Sequence, residues 1–263
     1  MRRMTVRCCS LLVVAFCALS ITPAAAAADD IAKLRAKAEK GDADAQFDLG
    51  LRYVIGVGVP KDAREAVKWF RKAAKEDHAK AQFFLGRAYF IGKGVPTDFR
   101  EGVKWLRKAA KQGHAEAQSN LGLAYHRGTG VSKDFRESVK WLRKAAEQGH
   151  AEAQSNLGVA YRIGAGVRKD AREAVKWFRK AAEQGLAEAQ TDLGLAYALG
   201  QGVPKDFVVA YAWLNLAAAQ GVERAAKPRS IVKRRMTAGQ IAEAQRLSRQ
   251  LASQIEKAQR SKK

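Results

Sequence analysis

Tryptophan recurs at Trp69, Trp105, Trp141, Trp177 and Trp213, each 36 residues after the one before it. The frame around it recurs without an insertion. Ala-x-Ala-Gln begins at Ala43, Ala79, Ala115, Ala151 and Ala187, and Leu-Gly follows at Leu49, Leu85, Leu121, Leu157 and Leu193. A tyrosine comes four residues after each of those leucines, then Gly-x-Gly-Val, then an aspartate, then the tryptophan. A fixed period of this length predicts stacked two-helix units, a solenoid without a single globular centre. It also argues against most enzyme classes, because copies of one unit offer few places for a unique catalytic cluster.

One unit, Ala79 to His114, shows the logic. Ala79, Ala81, Leu85, Gly86 and Tyr89 fall at helical spacing, so the first twelve residues read as a helix with a small-residue inner stripe. Gly86 costs about 1 kcal/mol against Ala inside that helix. Its recurrence in all five units predicts close approach of another backbone. Gly92-x-Gly94-Val95 breaks the helix, since glycine accepts the positive φ that a C-cap and a tight turn require. Asp98 is placed to cap the next helix, with Glu101 three residues on completing a capping box. That second helix runs from about Phe99 to Gln112, burying Val103, Leu106, Ala109 and Ala110 beside Trp105. Arg100, Glu101, Lys104, Arg107 and Lys108 face water. The first helices are thus expected near 43–54, 79–90, 115–126, 151–162 and 187–198, and their partners near 63–76, 99–112, 135–148, 171–184 and 207–220.

These residues resemble a known family. Ala-x-Ala-Gln-x-x-Leu-Gly-x-x-Tyr-x-x-Gly-x-Gly-Val-x-x-Asp, followed by Ala-Val-x-Trp-x-Arg-Lys-Ala-Ala-x-x-Gly, is similar to the Sel1-like repeat, a relative of the tetratricopeptide repeat. The resemblance covers residues 43–222 in five units, 43–78, 79–114, 115–150, 151–186 and 187–222. It implies an all-α fold, an α/α right-handed superhelical solenoid that acts as a scaffold or adaptor for protein partners. Two departures stand out. The cysteine pairs that staple each repeat in one secreted branch are absent, and Asp77 stands where the other units have Gly113, Gly149, Gly185 and Gly221. The frame also extends backwards, with Ile31 in the slot of Val67 and Leu34 in that of Phe70, so residues 29–42 read as an N-terminal capping helix.

Residues 1–28 differ in kind. Arg2, Arg3 and Arg7 precede an apolar stretch, Leu11 to Ile21, too short to span a bilayer, and Ala24 to Ala28 offers small-residue cleavage sites. This is the pattern of a secretory signal peptide cut after Ala26 or Ala28, which places the mature protein in the periplasm or outside the cell without a transmembrane segment. Cys8, Cys9 and Cys17 all lie in that segment, so the mature chain has neither disulfides nor cysteine-based metal sites. Without Arg2, Arg3 and Arg7 the formal charge of +22 becomes +19. In a cytosolic protein this excess would point to nucleic acid. In an exported one it points to anionic envelope surfaces or acidic proteins.

Other candidate chemistry resolves into structure. The Gly56-x-Gly58 series lacks a third glycine and a preceding strand, and reads as a turn. His78, His114 and His150 share one slot at the unit junctions, too far apart to share a metal. Ser230-x-x-Lys233 matches the Ser-x-x-Lys of penicillin-recognising enzymes, but neither Ser-Asp-Asn nor Lys-Thr-Gly accompanies it. No catalytic, cofactor or metal residues are assigned. Basic columns at Arg64, Arg100, Arg136 and Arg172, and at Lys68, Lys104, Lys140 and Lys176, read either as a wet outer face or as a contact for an anionic surface.

Partner choice is expected on the first helices, which line the concave groove in the tetratricopeptide relatives. The positions just before Leu-Gly vary between copies while the frame does not, as suits a surface without packing duty. Phe84, Ser119, Asn120, Ser155, Asn156 and Asp192 are the candidate partner-binding residues. The competing function is a periplasmic cell-wall-acting hydrolase, or a factor that binds glycan. Residues 223–263 are expected to form a basic C-terminal capping helix and tail. Thr237 and Gln240 open that helix, which lays Ile241, Ala244, Ser248, Leu251, Ile255 and Ala258 along one stripe. Its seat would be the unusually apolar second helix of unit 5, where Val208, Val209, Ala212, Asn215 and Leu216 replace charged residues. A homodimer through that same face is the alternative.

Overall fold

The computed structural model describes residues 23–261. The residues of the expected leader before Pro23, with Cys8, Cys9 and Cys17, lie outside the described part. All regular structure among the described residues is helical. Helix α1 (Pro23–Glu39) leads into five pairs: α2 (Ala43–Ile55) with α3 (Ala63–Lys75), α4 (Ala79–Ile91) with α5 (Phe99–Lys111), α6 (Ala115–Arg127) with α7 (Phe135–Glu147), α8 (Ala151–Ile163) with α9 (Ala171–Glu183), and α10 (Ala187–Leu199) with α11 (Phe207–Ala219). Helices α12 (Glu223–Lys233) and α13 (Ala238–Arg260) follow. Each first helix packs on its own second helix, and each second helix on the first helix of the next pair, which makes the array an α/α solenoid.

The invariant glycines set the spacing. A Cβ on Gly122 would stand 3.1 Å from the carbonyl oxygen of Ser138 and 2.8 Å from Leu142, so the two helices of a pair meet nearly backbone to backbone. The second glycine of each turn fastens neighbouring pairs. Gly130 has φ 72°, and its Cβ would fall 2.2 Å from the carbonyl of Phe99 at the start of the previous pair's second helix. The turn closes when the Asp134 N–H donates to the Tyr125 carbonyl at 3.0 Å, a bond repeated in every pair.

Buried glutamines cross-link the stack. Gln118 Nε2 donates to the Ala110 carbonyl at 3.0 Å, and its Oε1 accepts from Gln148 Nε2 at 2.7 Å. Gln82 with Gln112, Gln154 with Gln184 and Gln190 with Gln220 repeat the arrangement. The first rung breaks. Gln46 donates to Ala38, but Glu76 occupies the slot of the incoming donor, and Gln46 Oε1 is buried without a partner. Asp77, in the glycine slot beside it, adopts φ 57°. Its carboxylate accepts from Gln82 Nε2 at 3.0 Å.

The helix starts differ in one respect from expectation. Asp98 accepts from the Glu101 N–H, but the Glu101 side chain turns to Lys104 and does not return to the cap. The capping box is half formed, because an ammonium four atoms out on the stem attracts the carboxylate more than a neutral N–H does. The histidines cap the first helices: Nδ1 of His78 and His114 accepts from Ala81 and Ala117, and the rings stack on Phe47 and Phe83 at 4.8 and 4.7 Å.

Both ends carry findings that the pattern did not announce. Helix α1 begins at Pro23, inside the segment expected to be removed, whereas its packed residues, Ile31, Leu34 and Ala38, all lie after Ala28. Residues 223–233, with Pro228 inside them, form a helix. Ala225 and Val232 stand 36 residues after Ala189 and Ala196 and are buried like them, so α12 starts a sixth pair. Pro228 removes one intrahelical bond, and α12 keeps its helix while packed along α11. Helix α13 leaves the pattern and lies on α11. Leu251 and Ile255 join Val209 and Leu216 around the cluster of Phe178 and Trp213, and Asn215 Nδ2 donates to Ser248 Oγ at 3.1 Å. Ala258 of the expected stripe is exposed.

Candidate functional site

Four cavities run along the first-helix face, one at each junction between successive pairs. Corresponding residues line all four. The slot of Phe84 holds Asn120, Asn156 and Asp192 in the next three, and the slot of Ile91 holds Arg127, Ile163 and Leu199. Those slots are seven residues apart, two helical turns, so both look the same way. The cavity between pairs 2 and 3 has a volume of about 340 Å³ and that between pairs 1 and 2 about 170 Å³, whereas the last two are about 60 and 70 Å³.

The six residues singled out by copy-to-copy variation divide here. Phe84, Asn120 and Asn156 are half-buried in the cavity walls, and neither asparagine amide has a hydrogen-bond partner among the described residues. Ser119 and Ser155 are buried and do not reach the groove. Their slot points at the histidine cap of the next pair, where Phe47 and Phe83 fill the space instead. Variation in that slot is repacking, and Ser119 Oγ is left without a partner. Asp192 lines its cavity but is already engaged. It accepts from Arg224 of α12 at 3.1 Å, with Arg162 at 3.8 Å on the other side. Phe84 also belongs to a ring cluster with Phe47, Phe70 and Phe83, with centroids 5.4 to 5.6 Å away.

The variation argument missed the exposed aliphatic column. Ile55, Ile91, Ile163 and Leu199 each precede the glycine that ends a first helix and are 57% to 64% exposed. A bulky aliphatic before every C-cap glycine but one was visible in the sequence. Its meaning depended on which side of the helix faces the next pair.

The lysine columns and the Arg71 column are occupied within the chain, whereas Arg64, Arg100, Arg136 and Arg172 are exposed and make no ion pair among the described residues. Lys68, Lys104, Lys140 and Lys176 pair with Glu65, Glu101, Glu137 and Glu173. The partner carboxylate raises the Lys104 pKa. Arg71, Arg107 and Arg143 donate to the hydroxyls of Tyr89, Tyr125 and Tyr161 at 2.8 to 3.1 Å. Lys72, Lys108, Lys144 and Lys180 sit 4.0 to 4.8 Å over Trp69, Trp105, Trp141 and Trp177. Such pairs hold long side chains along the helix surface and each contributes little by itself.

Nucleophilic and metal chemistry find no assembly. The Ser230 hydroxyl donates back to the Ala226 carbonyl at 3.0 Å, as an ordinary helical serine does. Among the described residues no group of three or more His, Cys, Asp or Glu is placed to hold a metal, and no helix is long and apolar enough to cross a membrane. Burial lowers the pKa of His114, and the nearby Lys80 and His150 act in the same direction against Glu116. A neutral ring is what the cap requires, since Nδ1 must accept from Ala117.

The Sel1 repeat model matches residues 43–78, 79–114, 115–150, 151–186 and 187–222. A solved Sel1 repeat protein from Oxalobacter formigenes is 36% identical with a TM-score of 0.66, covering 73% of this chain and 84% of that one. The protein c5321, a protective antigen present in uropathogenic Escherichia coli strains and displaying an SLR fold, is 30% identical with a TM-score of 0.60, over 90% of this chain. The secretory immunoglobulin A-binding protein EsiB of Escherichia coli O6:H1 is 46% identical over 44 residues, 17% of this chain. This chain spans 60% of the length of c5321, and its match covers 9% of EsiB.

Proposed function

Because the chain belongs to the Sel1 repeat family, whose members generally mediate contacts between proteins, we propose that it is an exported, non-enzymatic adaptor that holds a partner protein in the row of cavities along its first helices. The observation that carries this reading is the registered row itself. Asn120 and Asn156 stand one repeat apart with free amides above apolar cavities. A side-chain amide both donates and accepts, so two in register match the free N–H and C=O groups of a polypeptide. EsiB, which is named for a protein ligand, matches a stretch of 44 residues, longer than one 36-residue repeat. That supports protein binding by repeats of this kind and does not extend the immunoglobulin ligand to this chain. The export part of the proposal rests on the leader pattern of residues 1–28.

Capture of envelope proteins on the immobilised wild type and on an Asn120→Ala/Asn156→Ala variant tests the groove. The variant should lose a specific captured band with its melting temperature almost unchanged, because neither amide bonds within the fold. Full retention of that band would move the partner to another face. N-terminal sequencing of the exported protein should begin at Ala27 or Asp29, and a start at Met1 would remove export.

A further inference from the structure

The groove has a charge pattern as well as a shape, and the pattern selects the chemistry of its occupant. Resting on the groove as the partner face, we infer that the two N-terminal cavities bind an extended segment carrying a bulky apolar side chain flanked by aspartate or glutamate.

The larger of the two, between pairs 2 and 3, is walled by Phe90, Leu106, Leu123 and Ala124, which suits a large apolar side chain. Arg87 stands on one rim and Arg127 on the other, both exposed. Neither makes an ion pair among the described residues. Arg87 borders the cavity between pairs 1 and 2 as well, where Lys93 is the second cation. No acidic side chain lines either cavity. The pattern ends at pair 5, where Asp192 is held by Arg224 and Arg162 and that cavity is already neutral. Arg87 and Arg127 are therefore a pair of guanidiniums without ion-pair partners among the described residues, set over one apolar cavity, an arrangement that carboxylates on both sides of one apolar side chain complement.

The occupant is extended rather than helical. A helix satisfies its own backbone groups and has nothing to offer Asn120 or Asn156. An extended chain leaves N–H and C=O groups free for them, and its alternate side chains enter the cavities.

Fluorescein-labelled peptides of about nine residues, roughly 30 Å when extended, test this by anisotropy on the full chain. Each carries a central Phe flanked by Glu, by Lys or by Gly. The Glu-flanked peptide should bind about tenfold more tightly than the Lys-flanked one at low salt, with the preference shrinking as salt rises. Arg87→Glu/Arg127→Glu should reverse that order. Arg87→Gln/Arg127→Gln, a milder change at two exposed positions, should abolish the preference in a protein that melts like the wild type. Equal or opposite preference in the wild type, a preference that both variants keep, or no binding of any peptide would overturn the inference. Asn120→Trp fills the larger of the two cavities and alters no charge. If it blocks binding while charge preference is absent, the groove stands and only the acidic partner falls. If binding persists unchanged in Asn120→Trp and in the arginine variants, the groove itself is the wrong face.

Discussion

Glu76→Gln should stabilise the protein, although it changes one exposed residue. Every other rung of the glutamine ladder is closed by a donor 30 residues ahead, at 2.7 to 2.9 Å. Gln46 is oriented by its bond to the Ala38 carbonyl as its counterparts are by theirs, and the slot that supplies their donor holds Glu76, whose carboxylate has no N–H to offer. A glutamine there supplies the missing N–H. A net hydrogen bond is worth about 0.5–1.5 kcal/mol, and leaving a buried acceptor unpaired costs about 1–3 kcal/mol. Glu76 is also the C-cap of α3, where a negative charge opposes the helix dipole by a few tenths of a kcal/mol. Both effects have one sign, giving about 1–2 kcal/mol, or roughly 3–6 °C in melting temperature. Because a solenoid opens repeat by repeat, hydrogen exchange should place the gain in α2 and α3 and leave α8 to α11 unchanged. The reciprocal change, Gln148→Glu, strands Gln118 Oε1 and should cost a similar amount. A Glu76→Gln shift below about 0.5 kcal/mol, the range of an ordinary surface substitution, would mean that the ladder bonds add nothing over water.

Gly130→Ala and Gly113→Ala both place a side chain at positive φ, but only the first meets a carbonyl, and Gly113 has nothing within 4 Å. Chemical denaturation should show about 1 kcal/mol lost for Gly113→Ala and at least twice that for Gly130→Ala; equal losses would remove the junction role of the turn. Truncation after Lys233 uncovers Val209 and Leu216, so light scattering should show concentration-dependent association and scanning calorimetry a lower melting temperature; a monomer of undiminished stability would refute the covering role of α13. The folded pKa of His114 lies below its ordinary 6.5, so its neutral form favours folding above that value, and the contribution is lost as pH falls from 6.5 towards the folded pKa. Melting temperature followed from about pH 7.5 to 5 should fall less in His114→Asn, which keeps a capping acceptor, than in the wild type; parallel curves would assign the loss to other groups.

The sequence alone determined the repeat, its two helices, the aspartate caps and the glycine turns, because each depends on residues near in the chain and the 36-residue period prints them five times. Gly86 and its copy Gly122 announced close backbone approach, since only contact explains a glycine kept inside a helix, whereas Gly130 was legible as a turn residue and its contact with the Phe99 carbonyl was not. The stripe from Ile241 to Ile255 and the bare α11 were legible for the same reason, as two apolar faces each lacking a cover. What only the tertiary structure decided is direction. Variation placed Ser119 beside Asn120 as equals, but adjacent helical residues are about 100° apart, and packing sends one under the next repeat and the other into the groove. The pairing of Gln118 with Gln148, the seizure of Asp192 by Arg224 and the helix through Pro228 depend on residues brought together across a junction. A periodic sequence states what each unit contains, and stacking decides which of its faces remain free to bind.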